Sequence, residues 1–243
     1  PVAAWNRDTV KQLADIQQAV LGYRQRAIHG SNADQVAIAV SYLLEEAGAG
    51  HLDSLRTALS SPSTIHVSAV DDTGLACSIT ASAGYGSGVM VPGTGLWLNN
   101  SLGEVELHTV GESPLFPGTR LVSNMAPTIV RRDDGQVLAI GSPGASRITT
   151  AIAQVVMNLI HLGMDLEMAI AHPRLHLEWV DGKPTVAYEG QLPVDALHDV
   201  QLKPFRHRSM YFGGVQAVLW SPERGFQAVA DGRRGGGTAL TKV

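Results

Sequence analysis

The stretch best suited to chemistry is SSPSTIHVSAVDDTGLACSIT, residues 60–80. A Ser/Pro loop turns abruptly into an apolar, alternating run, and Thr64 stands at the junction. A threonine hydroxyl is a weak nucleophile until a base sits beside it. If the Ser63–Thr64 bond is cut, the freed α-amine of Thr64 is such a base. Its ordinary pKa is about 8, so it can take the hydroxyl proton near neutral pH. The same hydroxyl can make the cut by attacking the preceding carbonyl, an N→O acyl shift. A Ser or Thr at a loop–strand junction is also an ordinary turn residue, and residue types alone leave both readings open.

A second candidate is AIGSPGASRIT, residues 139–149. Here a strand runs into a Gly/Ser/Pro loop that opens a helix. Backbone N–H groups at such a helix start can hold an anion or a developing oxyanion. The spacing fits neither dinucleotide nor P-loop phosphate motifs, and a plain β–α turn, with Ser142 or Ser146 as helix cap, is the alternative. Polar groups also sit within apolar stretches: Asn99, Asn100, Glu104 and Ser123. They either tie loops together, as buried amides must be bonded, or line a polar pocket. The nine His form no HxxxH or HExxH spacing, so no metal site is expected. His66 reads as a strand histidine with a structural partner. Cys77, the only cysteine, excludes an internal disulfide and a CxxC site and reads as a buried small residue.

These residues need elements to hold them. Residues 7–30 show helical spacing of Leu13, Ile16, Gln17, Val20 and Leu21, stopped at Gly30. Further helices are expected over about 33–48 and 52–61. From Thr64 the pattern alternates around a DDTG turn, a β-hairpin signature. SGVMVPGTGLWLNN predicts a strand pair around Pro92-Gly93, and APTIVRRDDGQVLAI another around Asp134-Gly135. A long amphipathic helix is expected from Arg147 to about Leu162, then a short helix ended by Pro173. PTVAYEG and VQAVLWSPERGFQAVAD supply late strands. The order of helices, hairpins, helices and strands favours an α+β fold with antiparallel sheet over alternating βαβ units.

The chain of 243 residues can bury a substantial core; it is 44% apolar and 16% charged, with 26 glycines. A net charge of −4 and the lack of a Lys/Arg run give no footprint for nucleic acid. No apolar run approaches the roughly 18 residues that cross a bilayer. The start, PVAAWNRDTVKQL, has no initiator Met and no signal-peptide pattern. It reads like the middle of something longer, so compartment is not legible there.

Taken together, residues 64–235 resemble the γ-glutamyltransferase (γ-glutamyltranspeptidase) family of N-terminal-nucleophile (Ntn) hydrolases. TIHVSAVDDTG resembles the start of the family's small subunit, GLWLNN its paired-Asn strand and SNMAPTIV its Ser-Met-Pro-Thr segment. GSPGASR resembles its Gly-Ser-Pro-Gly-Gly-Ser-Arg loop, and AHPRLH its later Pro-Arg stretch. The resemblance implies a four-layer αββα sandwich with two antiparallel sheets between helical layers. Residues 1–63 would be the helical tail of a large subunit and 64–243 the small-subunit catalytic region, together one domain. It implies Thr64 as processing residue and nucleophile, Ser82 orienting it, and the N–H groups of Gly144 and Ala145 as oxyanion hole. Asn99, Glu104 and Ser123 would bind substrate, Glu104 standing where the family has an Asp for the α-amine.

The expected activity is autoprocessing followed by acyl transfer from a γ-glutamyl amide to water or an amine such as a peptide. No cofactor or metal is implied, and the partner is the large-subunit portion of the same precursor. Some positions depart from the family pattern: Val122 replaces one of two adjacent serines, Gly84 an Asn, and Ile65 a small hydroxylic residue. The chemical machinery is matched more closely than the glutamyl-recognising residues. The alternatives are an acylase with another acyl donor, of the β-lactam side-chain type, and an unprocessed inactive homologue.

Overall fold

The computed structural model describes residues 4–27, 64–84, 86–104, 118, 121, 123–190 and 192–241. The helices expected at 33–48 and 52–61, and Ser63 itself, lie outside them. Helix α1 spans Arg7–Ala27. The DDTG turn makes the hairpin β1 (Thr64–Val70) and β2 (Ala76–Ser82). Strands β3 (Thr128–Arg131) and β4 (Val137–Gly141) flank the Asp134-Gly135 turn. Then come α2 (Arg147–Ile160), α3 (Leu166–Ala171), β5 (Leu175–Val180), β6 (Lys183–Glu189), β7 (Gln201–Phe205), β8 (Gln216–Ser221) and β9 (Gly225–Ala230). The expected pair at 87–100 forms as a short irregular hairpin, with one bridge, Met90 to Trp97, and cross-chain hydrogen bonds from Ser87 N to the Leu98 carbonyl, Leu98 N to the Val89 carbonyl and Val91 N to the Leu96 carbonyl. The Pro92–Gly95 stretch makes its turn, with positive φ at Gly93 and Gly95.

Three sheets form, ordered β1-β2, β3-β4-β8-β9 and β5-β6-β7. The first two are wholly antiparallel. In the third, β6 and β7 run parallel, a pairing that the sequence pattern did not predict. The main core joins one face of the four-stranded sheet to α2 and α3, through Leu138, Ile140, Ile148, Ile152, Val155, Leu166 and Ile170. A second core packs α1 on β5 and β6 through Val10, Ala14, Leu175, Leu177 and Val186. A hydrogen bond fastens this second joint, the Leu177 N–H donating to Gln17 Oε1 at 3.0 Å, and Trp5, just before α1, donates through Nε1 to Asn158 Oδ1 on α2 at 2.7 Å.

The β1–β2 hairpin lies on the four-stranded sheet and is polar inside, apolar outside. His66 and Ser68 on β1, with Ser78 and Thr80 on β2, share the inner face. His66 bridges Ser68 Oγ and Thr80 Oγ1, each at 2.8 Å. Ser78 Oγ donates to the Ile140 carbonyl at 3.0 Å, and Ser68 Oγ to the Gln216 carbonyl at 3.4 Å. The expected structural role of His66 is met, and burial lowers its pKa. Gly141 makes room for it: a Cβ there would lie 2.2 Å from His66 Cε1. The alternate residues Ile65, Val67 and Ile79 are left 68%, 61% and 56% exposed. Cys77 falls on that same outward face and is exposed among the described residues, correcting the expectation of a buried thiol.

Candidate functional site

Thr64 is the first residue of β1, and the hairpin register sets it opposite Ser82, the last residue of β2. The strict alternation of a two-residue period therefore puts both hydroxyl residues on the inner face. Two cavities meet at Thr64. One, of about 510 Å³, runs from Thr64 along β1 past Pro143, Gln216 and Arg234 to the 236–239 segment. The other, of about 490 Å³, is lined by Thr64, Ile65, Ala81, Ser82, Ala83 and Arg234. Thr64 Oγ1 has no hydrogen-bond partner among the described residues.

The loop at 142–146 enters the first cavity through Pro143. Its backbone is unusual: Gly144 has φ +139 and Ala145 +58, the second being a region that costs a side chain roughly 1–2 kcal/mol. Both residues are buried. Neither amide N–H donates to any described residue, so two buried donors remain for an incoming oxygen. The carbonyls of the same residues accept from Arg147 N and Ile148 N and start α2.

The 209–215 segment holds this loop from behind. Gly214 N donates to Ser142 Oγ at 3.0 Å, which donates onward to the Pro143 carbonyl at 2.6 Å. Arg147 Nε donates to the Tyr211 carbonyl at 2.9 Å. Beneath lies a buried charge cluster. Arg233 meets Glu189 at 2.5 Å and Asp231 at 3.2 Å, and Arg174 meets Asp231 at 2.7 Å. Arg174 also donates to the Phe212 carbonyl, Glu189 accepts from Ser209 N and Asp231 from Val215 N. Burial pulls the Arg174 pKa down to about 10 against the pull of Asp231, leaving it charged at neutral pH.

Beyond Ser82, Gly84 turns the chain with φ +56, and its N–H donates to Ser82 Oγ at 3.0 Å. A Cβ on Gly84 would lie 2.4 Å from Asn100 Oδ1 and 2.5 Å from Glu104 Oε1. Asn100 and Glu104 thus converge beside the Ser82 end of the hairpin. Asn99 is exposed, and its Oδ1 accepts from Ser101 N in an Asx turn that leads into the short 3₁₀ turn at Ser101–Gly103. Ser123 is exposed too and accepts from Met125 N. Asn99, Glu104 and Ser123 line neither cavity at Thr64. Among the described residues no three His, Cys, Asp or Glu side chains converge to hold a metal ion, and no helix is long and apolar enough to cross a membrane.

The family model for γ-glutamyltranspeptidase matches residues 5–241. The chain belongs to this family. It is 33% identical over 180 residues to a Bacillus subtilis protein named glutathione hydrolase proenzyme, covering 71% of this chain and 30% of the relative. It thus spans about a third of the length of that relative. Among solved structures, a highly active mutant of γ-glutamyltranspeptidase from Pseudomonas nitroreducens superposes with a TM-score of 0.61 at 30% identity. That match covers 73% of this chain and 99% of the other. Cephalosporin acylase from Bacillus halodurans shares the fold, with a TM-score of 0.60 at 20% identity, over 96% of this chain and 45% of its own.

Reading the family motifs alone misses several residues that this γ-glutamyltranspeptidase family member brings to the site. The doubled glycine in YFGGV signals a close backbone approach but not its target. Asn100, rather than Asn99, faces Glu104. Arg234 borders both cavities, yet its place in GRRGGG carries no periodic signal.

Proposed function

We propose that this chain carries the catalytic part of an autoprocessing γ-glutamyltransferase-like amidohydrolase, with Thr64 as processing residue and nucleophile. One observation carries the reading: a threonine at the first strand position shares a cavity with a loop whose two buried N–H groups have no described partner. Thr64 Oγ attacks the Ser63 carbonyl; as the ester forms, the Ser63–Thr64 C–N bond breaks and frees the α-amine, and water then hydrolyses the ester, releasing the Ser63 carboxylate and restoring the hydroxyl. In turnover that amine takes the hydroxyl proton as Oγ attacks the substrate amide. Negative charge on the carbonyl oxygen is met by Gly144 and Ala145 N–H, each supplying roughly 3 kcal/mol. The proton passes to the leaving amine, and the Thr64 ester then yields to water or a second amine. Ser82, opposite Thr64, orients the hydroxyl; Glu104, with Asn100, receives the substrate's α-amine, and Asn99 and Ser123 are assigned to substrate binding by family position alone.

The finer architecture belongs to the same proposal. Helices α2 and α3, the four-stranded sheet and the hairpin make three of the four layers of an αββα sandwich. The apolar outer face of Ile65, Val67 and Ile79 is where the fourth would pack. Its occupant is the large-subunit portion of the precursor, since the relatives are proenzymes about three times the length matched. Residues 1–63 would belong to that portion and 64–243 to the small subunit.

A second acyl donor is favoured by one fact: Val122 stands where the family has the first of two substrate-binding serines. Rates with a γ-glutamyl anilide against a glutaryl or aminoadipyl amide separate the two readings. For the central claim, intact mass of the full-length protein should reveal fragments split before Thr64, and T64A should stay whole and inactive. Turnover retained by T64A, or by uncut wild-type protein, overturns it.

A further inference from the structure

The cavities at Thr64 are lined by one formally charged side chain among the described residues, and both share it: Arg234. Its position is built. The side-chain stem lies across Gly214, where a Cβ would be 2.7 Å from both Arg234 Cβ and Cγ. Gly214 is the residue whose N–H is held by Ser142 of the 142–146 loop. Arg234 Nη2 donates to the Met210 carbonyl at 3.2 Å. The guanidinium is therefore fixed to the segment that backs the oxyanion loop, which gives it a set distance from the reacting carbonyl.

Its charge is not spent on the protein. Asp231 is occupied by Arg174 and Arg233, and Arg234 makes no ion pair with any described residue. Its Nε is buried and has no hydrogen-bond partner. Arg147 lies near enough to press on it with like charge. A fixed guanidinium that lines both cavities and has no ion-pair partner among the described residues fits a carboxylate.

The cavity also says which part of the substrate brings that carboxylate. Asn100 and Glu104, the groups assigned to the acyl side, gather beyond Ser82 at one end of the hairpin. The larger cavity leads from Thr64 the other way, along β1 towards Ser68 and the 236–239 segment. We propose that Arg234 binds the carboxylate of the amine partner, the peptide that leaves the donor or accepts the acyl group. This assignment rests on the acyl-transfer reading of Thr64 and adds a specificity-determining residue to it.

The test is acyl transfer by the full-length protein from a γ-glutamyl anilide to glycylglycine and to glycylglycinamide, which lacks the carboxylate. Wild type should favour glycylglycine in kcat/KM for the acceptor by about 10- to 100-fold, the worth of a charged hydrogen bond. In R234A that preference should fall to near unity, and R234K should restore part of it. The ratio is internal to each variant, so an overall loss of rate does not mask it. Preference unchanged in R234A, or absent from wild type, overturns the proposal. So does a change confined to discrimination between γ-glutamyl and 4-aminobutyryl anilides, which would put Arg234 on the acyl side. Failure of the wild type to transfer from any γ-glutamyl donor would instead refute the underlying reading.

Discussion

Gly144 and Gly213 meet backbone to backbone: a Cβ on Gly144 would lie 2.7 Å from the Gly213 Cα. The 142–146 loop is thus pressed on the 209–215 segment with no side chain between them. Gly213 itself has φ +79, and a Cβ there would lie 2.7 Å from Ser142 Oγ and 2.8 Å from the Pro143 carbonyl. G213A should therefore cost about 2–4 kcal/mol, combining left-handed strain with overpacking. It should also lower kcat at least tenfold while KM for the donor changes little, because displaced N–H groups act on the transition state. Denaturant unfolding and steady-state kinetics check both; unaltered kcat would detach Gly213 from the loop's function.

G141A is expected to push the His66 imidazole out of its place. Two hydrogen bonds would go with it, at about 1 kcal/mol each, with a packing penalty of about 1–3 kcal/mol. Since His66 sits two residues from Thr64 on the same strand face, processing should slow as well. The fraction of chain cut before Thr64, followed over time by mass, reads this directly.

Glu189 serves the buried cluster at four points: Arg233 Nε and Nη2, Arg174 N and Ser209 N. E189Q keeps the shape and removes the charge. Arg233 would then be buried against Asp231 alone, which already faces Arg174. A loss of about 3–5 kcal/mol is expected, as when one partner of a buried pair is removed. Thermal unfolding of the full-length variant is the measurement.

Stability should fall as the solution is acidified below about pH 6.5. Burial lowers the His176 pKa to about 3, with Arg147 and Lys203 adding to the effect. Burial also lowers those of His66 and His172. In the unfolded chain each takes up a proton near pH 6.5; the folded chain takes it up at lower pH, for His176 only near 3. Between the two values the unfolded state binds more protons, so each such His contributes a slope approaching 1.4 kcal/mol per pH unit. H176N should flatten the profile between about pH 6 and 4; a profile identical to wild type would contradict the assignment.

The parts legible in the sequence are those whose signal is local. The β1–β2 and β3–β4 turns announce themselves through DDTG and DDG, and α2 through its apolar stripe. Strand β5 was missed because LHLEWV is buried on both faces over Leu175–Glu178, with His176 and Glu178 inside. Alternation therefore says nothing there. Strand β7, QLKPF, is a mostly exposed edge strand carrying Pro204, a residue that normally argues against a strand. Its parallel pairing has no local cue at all. Cys77 is exposed although its apolar run predicts burial, because the apolar face of β1–β2 points outward. At the site, Thr64, Ser82 and the 142–146 loop follow from motif order. Arg234 and Gly213 do not, because their partners come from distant parts of the chain and only folding brings them together.

The docking of α1 has a consequence for what scission at residue 64 would do. Helix α1 precedes that bond, yet it is seated on β5 and β6, which follow it, by an apolar seam and the Gln17 hydrogen bond, and Trp5 just before it is bonded to α2. Breaking the backbone would sever the covalent thread without parting the two products. Both would stay parts of one body, and the fresh amine would appear while α1 is still seated on the strands that follow the cut.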